Sequence, residues 1–237
     1  MIVINQNLKL SMPQYFGKLQ TTEQPWSIIG SVQSISKTDR TIHFNCSNSS
    51  LKISILAPNL IRVRMSPTGE FKSRSHSITL DDEQWEIIPF EVRETDQKIE
   101  IETAQITISV KRDRPAIESF DKSGKPFATD CDRAMGWRAG ATAAWKRIET
   151  DEHFYGFGER TGLLDKLSGV KTNWTVDSLD YNSLTDEMYQ AIAFYIALSP
   201  DRAYGIFFNT TFWSQFDIGA EKPGVLRMET RGPELDY

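Results

Sequence analysis

Short runs that alternate apolar and polar residues, each closed by a turn, fill most of this chain. They leave room for little but layered sheets. Leu60-Ile61-Arg62-Val63-Arg64-Met65 and Ile106-Thr107-Ile108-Ser109-Val110-Lys111 repeat with period two. That period puts one set of side chains on each face of a strand, so both read as half-buried strands with one wet face. Similar runs occur at Thr41–Cys46, Leu51–Leu56, Trp85–Pro89, Lys98–Thr103, Ala116–Phe120 and Thr142–Ile148. Others lie at Ala191–Leu198, Tyr204–Asn209, Trp213–Ile218 and Val225–Glu229. Ala57-Pro58-Asn59, Pro67-Thr68-Gly69, Asp121-Lys122-Ser123-Gly124 and Ser199-Pro200-Asp201 punctuate them. Asp121–Gly124, between Phe120 and Phe127, is the best hairpin signal.

Many strands at close spacing without a sustained helical period predict an all-β fold, a large antiparallel β-sandwich. A length of 237 residues suits one large all-β domain or two smaller ones. We read 1–237 as a single domain that closes across the charged Glu149-Thr150-Asp151-Glu152. Residues 11–27, with Pro13, Gly17 and Pro25, read as an irregular lead-in, and Asp81–Gln84 as a solvated acidic turn.

A net charge of −5 and no Lys/Arg-rich run argue against a nucleic-acid partner. The longest apolar run, Ala191–Leu198, is too short to cross a bilayer, so no membrane partner is expected. Met1–Leu10 is polar and lacks the basic end and apolar centre of a signal peptide. Asn45, Asn48, Asn173 and Asn209 each begin an Asn-x-Ser/Thr sequon; without an export signal these read as chance matches, and the protein as cytoplasmic. Cys46 and Cys131 fit no metal spacing and read as free thiols, Cys46 in the core.

Acyl-transfer chemistry needs a nucleophile, a base and an orienting acid. The histidines are His43, His76 and His153, His76 following the basic turn Lys72-Ser73-Arg74-Ser75, and no Gly-x-Ser-x-Gly elbow occurs. No His-x-x-x-His or His/Cys cluster suggests a metal, and no cofactor is implied. Gly156-Phe157-Gly158 is followed by bulky residues and no Lys-Ser/Thr, so it is not a phosphate loop. Paired carboxylates for glycoside chemistry are harder to judge, because 32 acidic residues always supply some pair. The best place for sugar contacts is Leu167–Tyr189, which holds Trp174, Asp177, Asp180, Tyr181, Asp186 and Tyr189. Aromatic faces stack on the C–H side of sugar rings, and carboxylates accept from paired hydroxyls. The competing reading is a long surface loop with solvated acids.

The run Tyr155-Gly156-Phe157-Gly158-Glu159-Arg160, then a Trp-containing loop ending in Asp177, resembles glycoside hydrolase family 31, the α-glucosidase family. Thr185–Phe194, Tyr204–Thr210 and Phe216–Gly219 continue the series in order, and Gly232–Tyr237 resembles the strand that hands over to the catalytic barrel. The resemblance is strong over about Phe154–Gly219 and looser at Asn59–Arg64. It implies a galactose-mutarotase-like supersandwich that precedes a (β/α)8 barrel. Asp177 then matches the loop Asp that reaches into the barrel's mouth and binds substrate hydroxyls, with Trp174 and Tyr181 beside it. Val176 stands where the family commonly has a polar residue. Glu159 and Arg160 are expected to form a structural ion pair at the loop base.

The family's Asp nucleophile, in a Trp-x-Asp-Met segment, and its Asp acid/base come from barrel strand ends. None of the tryptophans here begins that segment, so nucleophile and acid/base are expected beyond residue 237. The resemblance thus implies an N-terminal fragment without catalytic residues, inactive by itself, exposing an apolar patch where its barrel docks. Its substrate, an α-glucoside or oligosaccharide, would be met only in the complete enzyme. Two alternatives stand beside this: a non-catalytic carbohydrate-binding module, and a stand-alone aldose epimerase, which would need a His and a carboxylate facing one pocket.

Overall fold

The computed structural model describes residues 24–72 and 76–237. The polar N-terminus, most of the expected lead-in over 11–27, and Ser73, Arg74 and Ser75 of the basic turn lie outside the described residues.

The strands form four sheets, and every pairing is antiparallel. One sheet runs β2 (Val32–Lys37), β3 (Thr41–Cys46), β4 (Ser50–Ala57), β5 (Leu60–Ser66) and β19 (Leu235–Asp236). A second runs β6 (Glu91–Glu94), β7 (Lys98–Glu102), β8 (Ile106–Lys111), β9 (Ile117–Asp121) and β10 (Pro126–Phe127). The third is ordered β1 (Ser27–Ile28), β11 (Asp130–Arg138), β12 (Ala141–Arg147), β18 (Val225–Thr230), β17 (Ser214–Ile218) and β14 (Val170–Asn173). The fourth holds β13 (His153–Gly158), β15 (Ala191–Ser199) and β16 (Arg202–Phe207).

The all-β expectation holds, and period two explains why. On β3, Ile42, Phe44 and Cys46 are buried while Asn45 faces out. The hairpin at Asp121–Gly124 joins β9 to β10: Gly124 sits at φ 80°, and Asp121 Oδ1 accepts from the Ser123 and Lys125 amides. One core cluster draws residues from all four sheets, among them Ile53, Ile108, Phe216 and Tyr195. Burying such side chains is worth about 1.5–3 kcal/mol each. β15 buries Ala193, Tyr195 and Ala197 on one face and exposes Ile192, Phe194, Ile196 and Leu198 on the other.

Three expectations are corrected. Trp85–Pro89 is not a strand; the Glu86 backbone carbonyl accepts from the Arg40 guanidinium. Asp81–Gln84 is only partly solvated: it forms a short 3-10 turn that buries Asp82, which accepts from Ser54 Oγ and Arg62 Nη1. The charged face of β5 is not wet either. Arg62 meets Asp82 and Asp236, and Arg64 meets Glu234, so acids from the far end of the chain cover it.

Candidate functional site

The Gly-Phe-Gly run sets the entry to the site. Gly156 and Gly158 hold φ of 113° and 83°, and between them the pairing of β13 with β15 shifts register. A Cβ on Gly158 would lie 2.1 Å from the Gln190 carbonyl oxygen, so only glycine fits this close approach. Phe157, fully buried at φ 68°, stacks on Tyr195 and meets Phe216 edge-on. The ring pins the bulge to the core while the backbone turns outward to Arg160.

Arg160 then gathers the loops. Its guanidinium donates to the Phe157 carbonyl at 2.8 Å, to Asn173 Oδ1 at 2.7 Å and to the Asp186 carbonyl. The Asp186 carboxylate lies 3.9 Å away and accepts from the Thr172 amide at 2.7 Å. The Arg160 side chain is 1% exposed, and burial pulls its pKa below the usual arginine range against the opposing pull of Asp186. The expected Glu159–Arg160 pair is therefore corrected: Arg160 braces the loop base, but its carboxylate partner is Asp186, and Glu159 is exposed. Asp186 read from sequence as one loop acid among several; nothing in its local pattern marked it as the brace.

From that base residues 174–178 run without regular structure. Trp174 is 42% exposed, Tyr181 64%, and Asp177 is exposed as well. Trp174 helps line a pocket of about 430 Å³ with Asn173, Ile192, Thr210, Phe212 and Ser214. Asp177 and Tyr181 share its loop but do not line that pocket. Asp177 makes no hydrogen bond or ion pair with another described residue. The neighbouring loop is tied on by Thr161 Oγ1, which donates to the Thr185 carbonyl at 2.7 Å. Leu163, Leu164, Leu179 and Leu184 on these two loops are 79–90% exposed.

The histidines lie elsewhere in the chemistry. His43 packs edge-on against Phe71, and burial lowers its pKa, helped by Lys52. His153 Nδ1 is 2.7 Å from Asp165 Oδ2 at the surface. Among the described residues no cluster of His, Cys, Asp and Glu could hold a metal ion, and no helix is long and apolar enough to cross a membrane.

Residues 50–217 match the model of the glycosyl hydrolase 31 N-terminal galactose mutarotase-like domain. The chain is 29% identical over 192 residues to alpha-glucosidase 2 of Bacillus thermoamyloliquefaciens, covering 80% of this chain and 24% of that protein. It is 22% identical over 223 residues to an isomaltosyltransferase of Sporosarcina globispora, covering 87% of this chain and 19% of the relative. A Flavobacterium johnsoniae GH31 dextranase, solved with isomaltotriose, superposes with a TM-score of 0.82 at 25% identity, over 89% of this chain and 26% of that one. The chain thus spans about a quarter of the length of the first of these relatives. With a family model matched across most of its length, and a sandwich of the same fold, the chain belongs to the N-terminal galactose mutarotase-like domains of glycoside hydrolase family 31.

Proposed function

We propose that this chain, as one domain, is the N-terminal β-sandwich of a retaining α-glucosidase-type hydrolase, and that it presents Asp177 to an active site built on a following (β/α)8 barrel. The observation that carries this is Asp177 itself: an exposed carboxylate without a described partner, in a loop whose base is locked by buried Arg160. A carboxylate held out in this way can accept from a sugar hydroxyl without first giving up a protein contact. Trp174 and Tyr181 supply exposed aromatic faces in the same rim. The exposed leucines of the two loops, and Ile196 and Leu198 on the outer face of β15, supply apolar area for the barrel to cover. The relatives extend to more than three times this length, which leaves room for a barrel with nucleophile and acid/base at its strand ends. An α-glucoside or α-linked oligosaccharide is the substrate, in keeping with the names of the relatives.

A cytoplasmic setting is supported by two free thiols.

The test is hydrolysis of maltose and an aryl α-glucoside by the purified chain and by the longer protein that contains it. Only the longer protein is expected to release glucose. Release by the 237-residue chain alone would overturn the proposal.

A further inference from the structure

We propose that the pocket beneath Trp174 is a carbohydrate subsite of its own, taking a glucosyl unit of an α-glucan oligosaccharide beyond the one held by Asp177. This rests on the functional reading above and adds a second point of contact to it.

Two small polar side chains that line the pocket, Asn173 and Ser214, belong to a buried polar row that runs on behind it. Asn173 on β14 stands opposite Ser214 on β17, Ser214 opposite Thr230 on β18, and Thr230 opposite Thr142 on β12. All four are buried. Within this row Asn173 Nδ2, Ser214 Oγ and Thr142 Oγ1 have no hydrogen-bond partner. Buried polar atoms are nearly always paired, so the two unpaired ones that stand side by side at the pocket, on Asn173 and Ser214, call for a cause.

Asn173's orientation is chemically determined. Its side chain meets the Arg160 guanidinium at 2.7 Å, and a guanidinium can only donate, so the facing atom is oxygen and the amide N–H groups are the unpaired end. Asn173 and Ser214 both line the pocket, which therefore offers an amide donor beside a hydroxyl that can donate or accept. Among the described residues, no charged side chain lines the pocket. That favours a neutral hydroxyl-bearing ligand over a phosphate or carboxylate.

At the mouth, Trp174 is 42% exposed and presents a ring face for the apolar side of a sugar, while the Phe212 ring opposite carries the Lys72 ammonium 4.4 Å from its centre. A volume of about 430 Å³ suits a small ligand. The unpaired atoms lie below the accessible surface, so the ligand reaches them as the side chains around the pocket shift. Asp177 follows Trp174 by three positions, a reach of at most about 11 Å along the chain. Neighbouring units of one oligosaccharide can therefore meet both.

The test is titration of the 237-residue chain with isomaltotriose, followed by calorimetry and tryptophan emission. Saturable binding with a change in emission is expected. Trp174→Ala and Ser214→Ala should each weaken it by about 3- to 10-fold. Ser214→Ala should melt no earlier than the parent chain, because the hydroxyl it removes has no partner. No saturable binding at millimolar isomaltotriose, or equal affinity in all three proteins, overturns the subsite. If the longer protein cleaves α-glucosides while the chain fails to bind, the subsite alone is wrong. If the chain binds but the longer protein cleaves nothing, the enzyme reading is wrong and the pocket stands as a binding module.

Discussion

Arg160 Nη2 donates to Asn173 Oδ1 at 2.7 Å, joining the end of β13 to the end of β14 beneath the Trp174 loop. The same guanidinium holds the backbone of Asp186 on the far side of that loop. One buried cation thus fixes both ends of the segment that carries Asp177.

Removing that cation should cost more than a surface charge does. Arg160→Met leaves Asn173 Oδ1 and two carbonyls without their donor. A loss of about 3 kcal/mol is expected by urea unfolding of the chain. A loss under about 0.5 kcal/mol, the range of ordinary surface substitutions, would remove Arg160 as the brace.

Two glycines separate steric cost from backbone cost. Gly158 and Gly124 hold similar φ, 83° and 80°, but a Cβ on Gly158 meets the Gln190 carbonyl oxygen at 2.1 Å while one on Gly124 meets nothing within 4 Å. Gly124→Ala should destabilise by about 1–2 kcal/mol, the conformational cost alone. Gly158→Ala should fail to fold or lose considerably more. Equal losses by thermal melting would contradict the close approach.

Acid should act on two buried carboxylates in opposite senses. Burial works to raise the Asp82 pKa, but hydrogen bonds from Ser54 and Arg62 outweigh it and hold the carboxyl below its ordinary value. Its contribution is therefore full above the unfolded pKa and lost as pH falls through the lower folded value. Burial raises Glu152, against a hydrogen bond from Tyr204, so its contribution is present at low pH and lost as pH rises through the raised value. As pH falls below about 5, Asp82→Asn should flatten the fall in stability, and as pH rises above about 4.5, Glu152→Gln should remove the loss that ionising Glu152 causes, in denaturant midpoints measured across pH. Unchanged pH profiles in both variants would refute these assignments.

These carboxylates also show where sequence reading stops. Thr41–Cys46 was legible because its alternation matches one buried face, and the Asp121–Gly124 hairpin because its turn chemistry is local. Asp130–Arg138 was not. Its pairing with β12 slips between Asp130 and Met135, Ala134 takes a positive φ, and the period-two pattern breaks there. The charges of β5 read as a wet face because their partners, Glu234 and Asp236, lie 170 or more residues on. At the site, Trp174, Asp177 and Tyr181 were legible as exposed loop residues. The polar row of Asn173, Ser214 and Thr142 was hidden, because it exists only through the register of strands that are distant in sequence.

The most direct test of the account is the kcat/KM for maltose of the longer protein carrying Asp177→Ala, beside its unaltered form. Loss of a charged acceptor for a substrate hydroxyl predicts a fall of about 10- to 100-fold with folding stability unchanged. A kcat/KM within about 2-fold of the unaltered protein would show that Asp177 does not touch substrate, and would contradict the account.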